Sequence, residues 1–200
     1  MKRSRRVALT GLMASTALAL AACGEEEVPV EAYTTVEQCV ADGLFDREAC
    51  QGMLSQAMEV HAQAAPRYAN EALCEEEFGP GQCAYQPTAG QGENQQAGGG
   101  GFFMPLFMGY MAGRMLGGGS ALPANLQRTY KGQSYGVQPY YRTRDGRFTG
   151  VTGSPLSVGR DGATAPKSTF TTPPRTPQVA TRTTVRTTGG FGGRAFGFGG

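Results

Sequence analysis

Apolar and polar positions follow three regimes along this chain. The first is an uncharged, largely apolar run of fourteen residues, Val7 to Leu20, preceded by Lys2, Arg3, Arg5 and Arg6 and closed by Ala21 and Ala22. A basic start, an apolar centre and a small-residue end make a secretory signal peptide, and the run falls short of the ~20 residues a spanning helix needs. The second regime has helical period. Thr34-Thr35-Val36-Glu37 has capping-box spacing, with Thr34 as the cap, and opens a short helix that stops near Gly43. Asp46 caps a second helix from Arg47 to about Ala64, in which Ala49, Met53, Ala57, Val60 and Ala64 recur on one face before Pro66 ends it. Asn70 caps a third, Glu71 to Phe78, closed by the turn Gly79-Pro80-Gly81.

The third regime is Phe102 to Leu116, apolar at every position except Arg114. With Pro105 at a first helical position and Gly117-Gly118-Gly119 at the end, it predicts a helix. At about 100° per residue, Met104, Met108, Met111 and Met115 share one side, while Gly109, Gly113 and Gly117 line the other. Such a helix is about 18 Å long against a hydrocarbon core near 30 Å, so it does not span alone. Its glycine face permits close approach of a second helix, which makes Gly109, Gly113 and Gly117 a candidate interface for self-association or a partner protein. Docking on the head, or resting in lipid, are the plainer alternatives. A copper site at Met108 and Met111 lacks any supporting methionine repeat.

Charge divides the chain. Residues 24–93 carry 14 acidic and 2 basic side chains, whereas residues 114–200 carry 12 basic and 2 acidic ones. Thirty-one glycines and 12 prolines, with no tryptophan, argue against one continuous core. Residues 86–101 read as a flexible linker. In 120–152 the tyrosines alternate with Gly, Arg and Lys, and Asp145-Gly146 is a hairpin signal. From 153 to 200 the Thr, Pro, Gly and Arg content shows no core pattern and predicts a basic disordered tail.

Chemistry enters with the five cysteines. Leu20-Ala21-Ala22-Cys23 resembles a bacterial lipobox, which implies acylation of the Cys23 thiol and cleavage before it. More than one acyl chain makes such anchoring stable. Gly24 resembles an outer-membrane address, while Ser4-Arg5-Arg6 is a weak hint of twin-arginine export. Cys39, Cys50, Cys74 and Cys83 lie in a region too small to be stable on its core alone, and in an exported protein they read as two disulfides. Local pairing (39 with 50, 74 with 83) and nested pairing (39 with 83, 50 with 74) both remain open, with the local pairing preferred because each bridge then crosses one break. The rival zinc site lacks its usual C-x2-C knuckles. His61, the only histidine, reads as a solvated helix residue, and Glu75-Glu76-Glu77 as a solvated face. No nucleophile, base and orienter set assembles from one histidine, so an enzyme is not expected, nor a cofactor or metal.

The succession of a lipobox, paired cysteines, Ala65-Pro66-Arg67-Tyr68, Cys74-Glu75-Glu76-Glu77-Phe78-Gly79 with Gly81-Gln82-Cys83, and Met104-Pro105-Leu106 leading to Gly109-Tyr110-Met111-Ala112-Gly113-Arg114 resembles the YgiB-type family of bacterial lipoproteins. The resemblance runs from roughly residue 20 to 120 and returns in the Gly-Phe tail. It implies an envelope protein, and some members are encoded near an ATP-grasp ligase related to glutathionylspermidine synthases. It carries over no catalytic residue.

The expected architecture is a small all-α disulfide-stapled head and a short apolar Gly/Met-rich helix, with the remainder largely disordered and low-complexity. Its parts are a signal peptide (1–22), an acidic tether (23–32), a stapled helical module (33–85), the linker (86–101), the glycine-faced helix (102–119), the Tyr/Arg/Gly segment (120–152) and the tail (153–200). The expected function is that of a structural or adaptor lipoprotein, held at Cys23 on the outer membrane and facing the periplasm. Its basic tail would meet anionic lipid or envelope polymer rather than nucleic acid. The alternative is an accessory or substrate protein for a ligase, or a partner of an envelope transport system.

Overall fold

A computed structural model describes residues 25–87, 100–115, 122–159 and 162–181. Its first element is a strand, β1 (Glu27–Tyr33), with Val28, Val30 and Tyr33 buried and Glu27, Pro29 and Glu31 exposed. Alternation of this kind is the period of a half-buried strand. It corrects the expected tether over 23–32, because these glutamates are the wet face of a strand.

The helices follow their caps. In α1 (Val36–Asp42) the Thr35 hydroxyl accepts from the Gln38 amide at 3.1 Å, so the cap falls one residue later than the capping-box reading placed it. Thr34 binds the Gln38 side chain instead. Gly43, at φ 80°, takes the left-handed conformation that closes this helix. α2 (Arg47–Ala64) is capped by Asp46, whose carboxylate accepts from the Ala49 amide at 2.8 Å. It buries Cys50, Met53, Ala57, Val60 and Ala64. The two-residue strand β2 (Arg67–Tyr68) precedes α3 (Glu71–Phe78), capped by Asn70, and the strand β3 (Cys83–Pro87) follows it. The disulfide Cys39–Cys50 ties α1 to α2, and Cys74–Cys83 ties α3 to β3, which is the local one of the two pairings.

Everything further is mostly β, contrary to the expected all-α head with a disordered remainder. In order come β4 (Gly101–Pro105), β5 (Gly109–Arg114), β6 (Gln127–Tyr130), β7 (Gln133–Arg142), β8 (Phe148–Gly150), β9 (Pro155–Gly159), β10 (Gly162–Pro166), the single turn of helix α4 (Ser168–Thr171) and β11 (Val179–Ala180). β1, β5, β7, β8, β9 and β10 close into a six-stranded antiparallel barrel. β6 extends the sheet along the part of β7 that β8 leaves free, since β6 pairs with residues 133–136 and β8 with 140–142. A second sheet runs β11-β2-β4-β3.

The predicted helix over 102–119 is therefore overturned. Its described residues form β4 and β5 with a short link at 106–108. β5 is buried on both faces, and a strand of that kind shows a continuous apolar run with no alternation to betray it. The tail expected to be disordered from 153 supplies β9, β10 and α4 to the barrel. Residues 182–200 lie outside the described residues. Asp145-Gly146 stands in the turn between β7 and β8, where Gly146 has φ 82° and Arg142 pairs with Phe148.

Inside the barrel Val28, Val30, Met111, Tyr140, Leu156 and Ala165 surround Phe170, the side chain that α4 sends into the interior. Outside, α1 and α2 cover Tyr110, Ala112 and Val137 with Phe45, Cys39, Cys50, Met53 and Ala57. A third cluster, under the end of α2, joins Val60 and Ala64 to Leu73, Phe78, Tyr68, Leu126 and Tyr141.

Candidate functional site: a cleft at the free edge of β6

Lys131 and Gly132 both have positive φ, 47° and 77°, which is the backbone of a two-residue hairpin turn whose twist matches its strands. That turn fixes the register of β6 on β7: Tyr130 faces Gln133, Arg128 faces Tyr135 and Gln127 faces Gly136. Register decides which backbone groups point where. The Val137 amide donates to the Leu126 carbonyl, so the hydrogen-bonded pairs step by two through Arg128 and Tyr130. Gln127 and Thr129 therefore turn their amides and carbonyls away from β7. Those of Gln127 are taken: its amide donates to the Pro123 carbonyl and its carbonyl accepts from Gln56 of α2. Among the described residues nothing takes the amide or carbonyl of Thr129, which lie on the outer edge of the sheet.

Between that edge and the start of α2 lies a cleft of about 390 Å³, lined by Asp46, Glu48 and Ala49 on one side and by Gln127 to Tyr130 on the other. Arg128 is its cation. The guanidinium sits against α2 at Gly52, with a terminal nitrogen in the space a Cβ there would occupy. Among the described residues it has no ion-pair partner. Tyr130 makes the wall, its ring edge-on to Phe45 at 5.4 Å and its hydroxyl accepting from the Asp46 amide at 3.3 Å. The cleft thus offers a cation, two carboxylates, an aromatic wall and a free strand edge.

The residues singled out by sequence lie elsewhere. Cys23 and Gly117 are outside the described residues. Cys39 and Cys50 are wholly buried beneath α1 and α2, and Cys74 is equally buried beneath α3. Gly109 and Gly113 face the barrel interior: a Cβ on Gly109 would strike the Tyr33 carbonyl, and one on Gly113 would come within 2.5 Å of the Phe170 ring. No helix presents them to a neighbour. They make room for Tyr140 and Phe170. His61 is not the solvated residue expected, for it hydrogen-bonds the Tyr141 hydroxyl at 3.0 Å and meets Phe107 edge-on at 5.6 Å. Burial pushes its pKa down to about 4 and raises that of Tyr141. Among the described residues no three His, Cys, Asp or Glu side chains gather as a metal site.

Sequence reasoning missed Arg128. One signal was present, since Gly52 inside an otherwise regular helix costs about 1 kcal/mol relative to alanine and calls for a close approach of some other group.

Barrel, helical cover and bridges define the class: a disulfide-stapled domain of a small closed barrel with helices on one flank. The chain belongs to the family described as Protein of unknown function (DUF1190), whose model matches residues 27–197. It is also similar to the UPF0441 protein of Erwinia tasmaniensis, with 34% identity over 94% of this chain and 81% of that protein. This is the YgiB-type family to which its motifs point. No solved structure matches.

Proposed function

We propose that this protein is an exported, lipid-anchored adaptor that works by binding, held by an acylated Cys23 on the periplasmic face of the outer membrane. The observation that carries this reading is the distance from the lipobox to the fold. β1 begins at Glu27, four residues beyond Cys23, a reach of at most about 14 Å. An acylated Cys23 would therefore hold the barrel directly at the bilayer surface, without a long stalk. Two disulfides in a small domain suit the oxidising compartment to which a signal peptide delivers. Gly24 supports the outer-membrane address, and the basic residues beyond 181 suit an anionic lipid or polymer.

The non-catalytic part of the proposal draws on how the barrel is used. Small barrels bind ligands in their lumen when it is empty, but here Phe170, Met111 and Tyr140 occupy it. Recognition is left to the outer surface. Fractionation tests the anchor: Cys23→Ser, exported behind a signal whose cleavage does not need the lipobox, should move the chain from the membrane to the soluble fraction. A Cys23→Ser chain that still sediments wholly with membrane after a high-salt wash overturns the lipid anchor.

A further inference from the structure

We propose that the cleft beside β6 is a docking site for an extended segment of a partner protein, which adds as a strand to β6 and places a carboxylate side chain on Arg128. This gives the adaptor reading a site and a ligand chemistry, but it does not depend on the anchor.

Three observations converge on it. The amide and carbonyl of Thr129 point outward from the last strand of the sheet, which is the hydrogen-bonding template that an added strand uses. The cleft runs alongside that edge instead of ending in a closed hole, so a chain lying in it reaches both the strand edge and α2. Arg128 supplies the selectivity: its guanidinium is half-buried, seated on Gly52 and without an anionic partner among the described residues. Seated in this way, it has less freedom to lose on binding than a solvated arginine and a planar fork to offer a carboxylate.

The opposite lip limits the sequence. Asp46 and Glu48 lie beside Tyr130, two positions along the same face of β6, so a second acid two residues from the first would meet repulsion there. The ligand is thus a strand-forming segment with one acidic residue on the face turned to α2.

The test uses the purified full chain and two blocked peptides, acetyl-Thr-Val-Thr-Glu-Thr-Val-Thr-amide and the same peptide with Gln in the centre, followed through backbone amide shifts and the Arg128 Nε signal. The Glu peptide should shift the Thr129 amide and Arg128 Nε together, saturably, and bind at least about tenfold more tightly than the Gln peptide, as loss of one charge-assisted bond predicts. Arg128→Gln should erase the difference between the peptides. Thr129→Pro removes only an amide that β7 does not use, so it should keep the fold and abolish binding of both. Equal binding of the two peptides, or no change at Thr129 with either at millimolar concentration, overturns the proposal. So does free acetate reproducing the Arg128 shift at the same concentration as the Glu peptide, since the site would then be a simple anion site. Membrane release of Cys23→Ser leaves all these readouts unmoved, which separates failure of this site from failure of the anchor.

Discussion

Gly113 of β5 faces Gly136 of β7 directly across the ladder, and the ring of Phe170 fills the space where their two side chains would be. A Cβ at either position would come within about 2.6 Å of that ring or its Cβ, so neither glycine accepts a side chain while Phe170 is in place. Aromatic cover of a bare glycine pair restores the packing that the pair lacks. Phe170→Ala should therefore cost about 3–5 kcal/mol in urea unfolding, and Gly113→Ala about 1–3 kcal/mol by overpacking. Because the two act on one space, Gly113→Ala in the Phe170→Ala background should cost less than it does alone. Strict additivity would show that the ring does not rest on the pair.

Reduction should act on the helical flank. Cys39–Cys50 closes a loop of 11 residues in sequence separation, and Cys74–Cys83 one of 9. Chain entropy assigns each about 3 kcal/mol, a large part of the stability of a small domain. Thiol reductant should lower the urea midpoint steeply, and peptide mapping of the oxidised chain should yield the 39–50 and 74–83 linkages. Unchanged melting on full reduction would remove the bridges from the account.

His61 gives the fold a dependence on pH. Its folded pKa, about 4, lies below the ordinary value of 6.5 because burial against Tyr141 and Phe107 disfavours the charged ring. The unfolded chain therefore binds the proton first, so the contribution is complete above about pH 6.5 and is lost as pH falls toward 4. Allowing for the part of the ring that water still reaches, the loss should be about 1–2 kcal/mol. His61→Gln should flatten the pH dependence of the unfolding midpoint across that window. A variant with the wild-type slope would assign the effect to carboxylates.

Gly52→Ala separates helix propensity from the seat of Arg128. Alanine should favour α2 by up to about 1 kcal/mol, yet its methyl claims the space of the guanidinium, which is the free end of a flexible side chain and can leave. The expected result is a chain of equal or greater stability whose Arg128 Nε signal moves to that of a solvated arginine. An unmoved signal would show that the guanidinium is not held on the helix.

The helices were legible because their signals are local. Asp46 and Asn70 cap where short polar side chains should, and of the stripe read for α2 Met53, Ala57, Val60 and Ala64 are buried, with Cys50 in the place expected of Ala49. The barrel was hidden for the opposite reason. β5 pairs with β1 and β7, and β1 with β10, so its strands are specified by partners far along the chain. Gly109-Tyr110-Met111-Ala112-Gly113 reads equally well as a helix until it is known that Tyr110 and Ala112 face α2 while Met111 faces the lumen. β1 was the exception. Its alternation of Glu27, Val28, Pro29, Val30 and Glu31 stands in the sequence, but Glu25, Glu26 and Glu27 give the same stretch the composition of a solvated tether. The cleft was illegible beyond Gly52, because a free strand edge is a property of the sheet order.

The register of β1 on β10 sets an order of events. Glu27 pairs with Pro166 and Val30 with Ala163, so the earliest strand waits for a late one across more than a hundred residues. Such distant closure makes folding slow, and until Pro166 has emerged β1 exposes an unsatisfied edge to any other chain. A chain cut short of β10 keeps every residue of α1, α2 and α3, but its barrel cannot close. Pairing of β10 with β1, rather than formation of the helices, is therefore the step that closes the barrel.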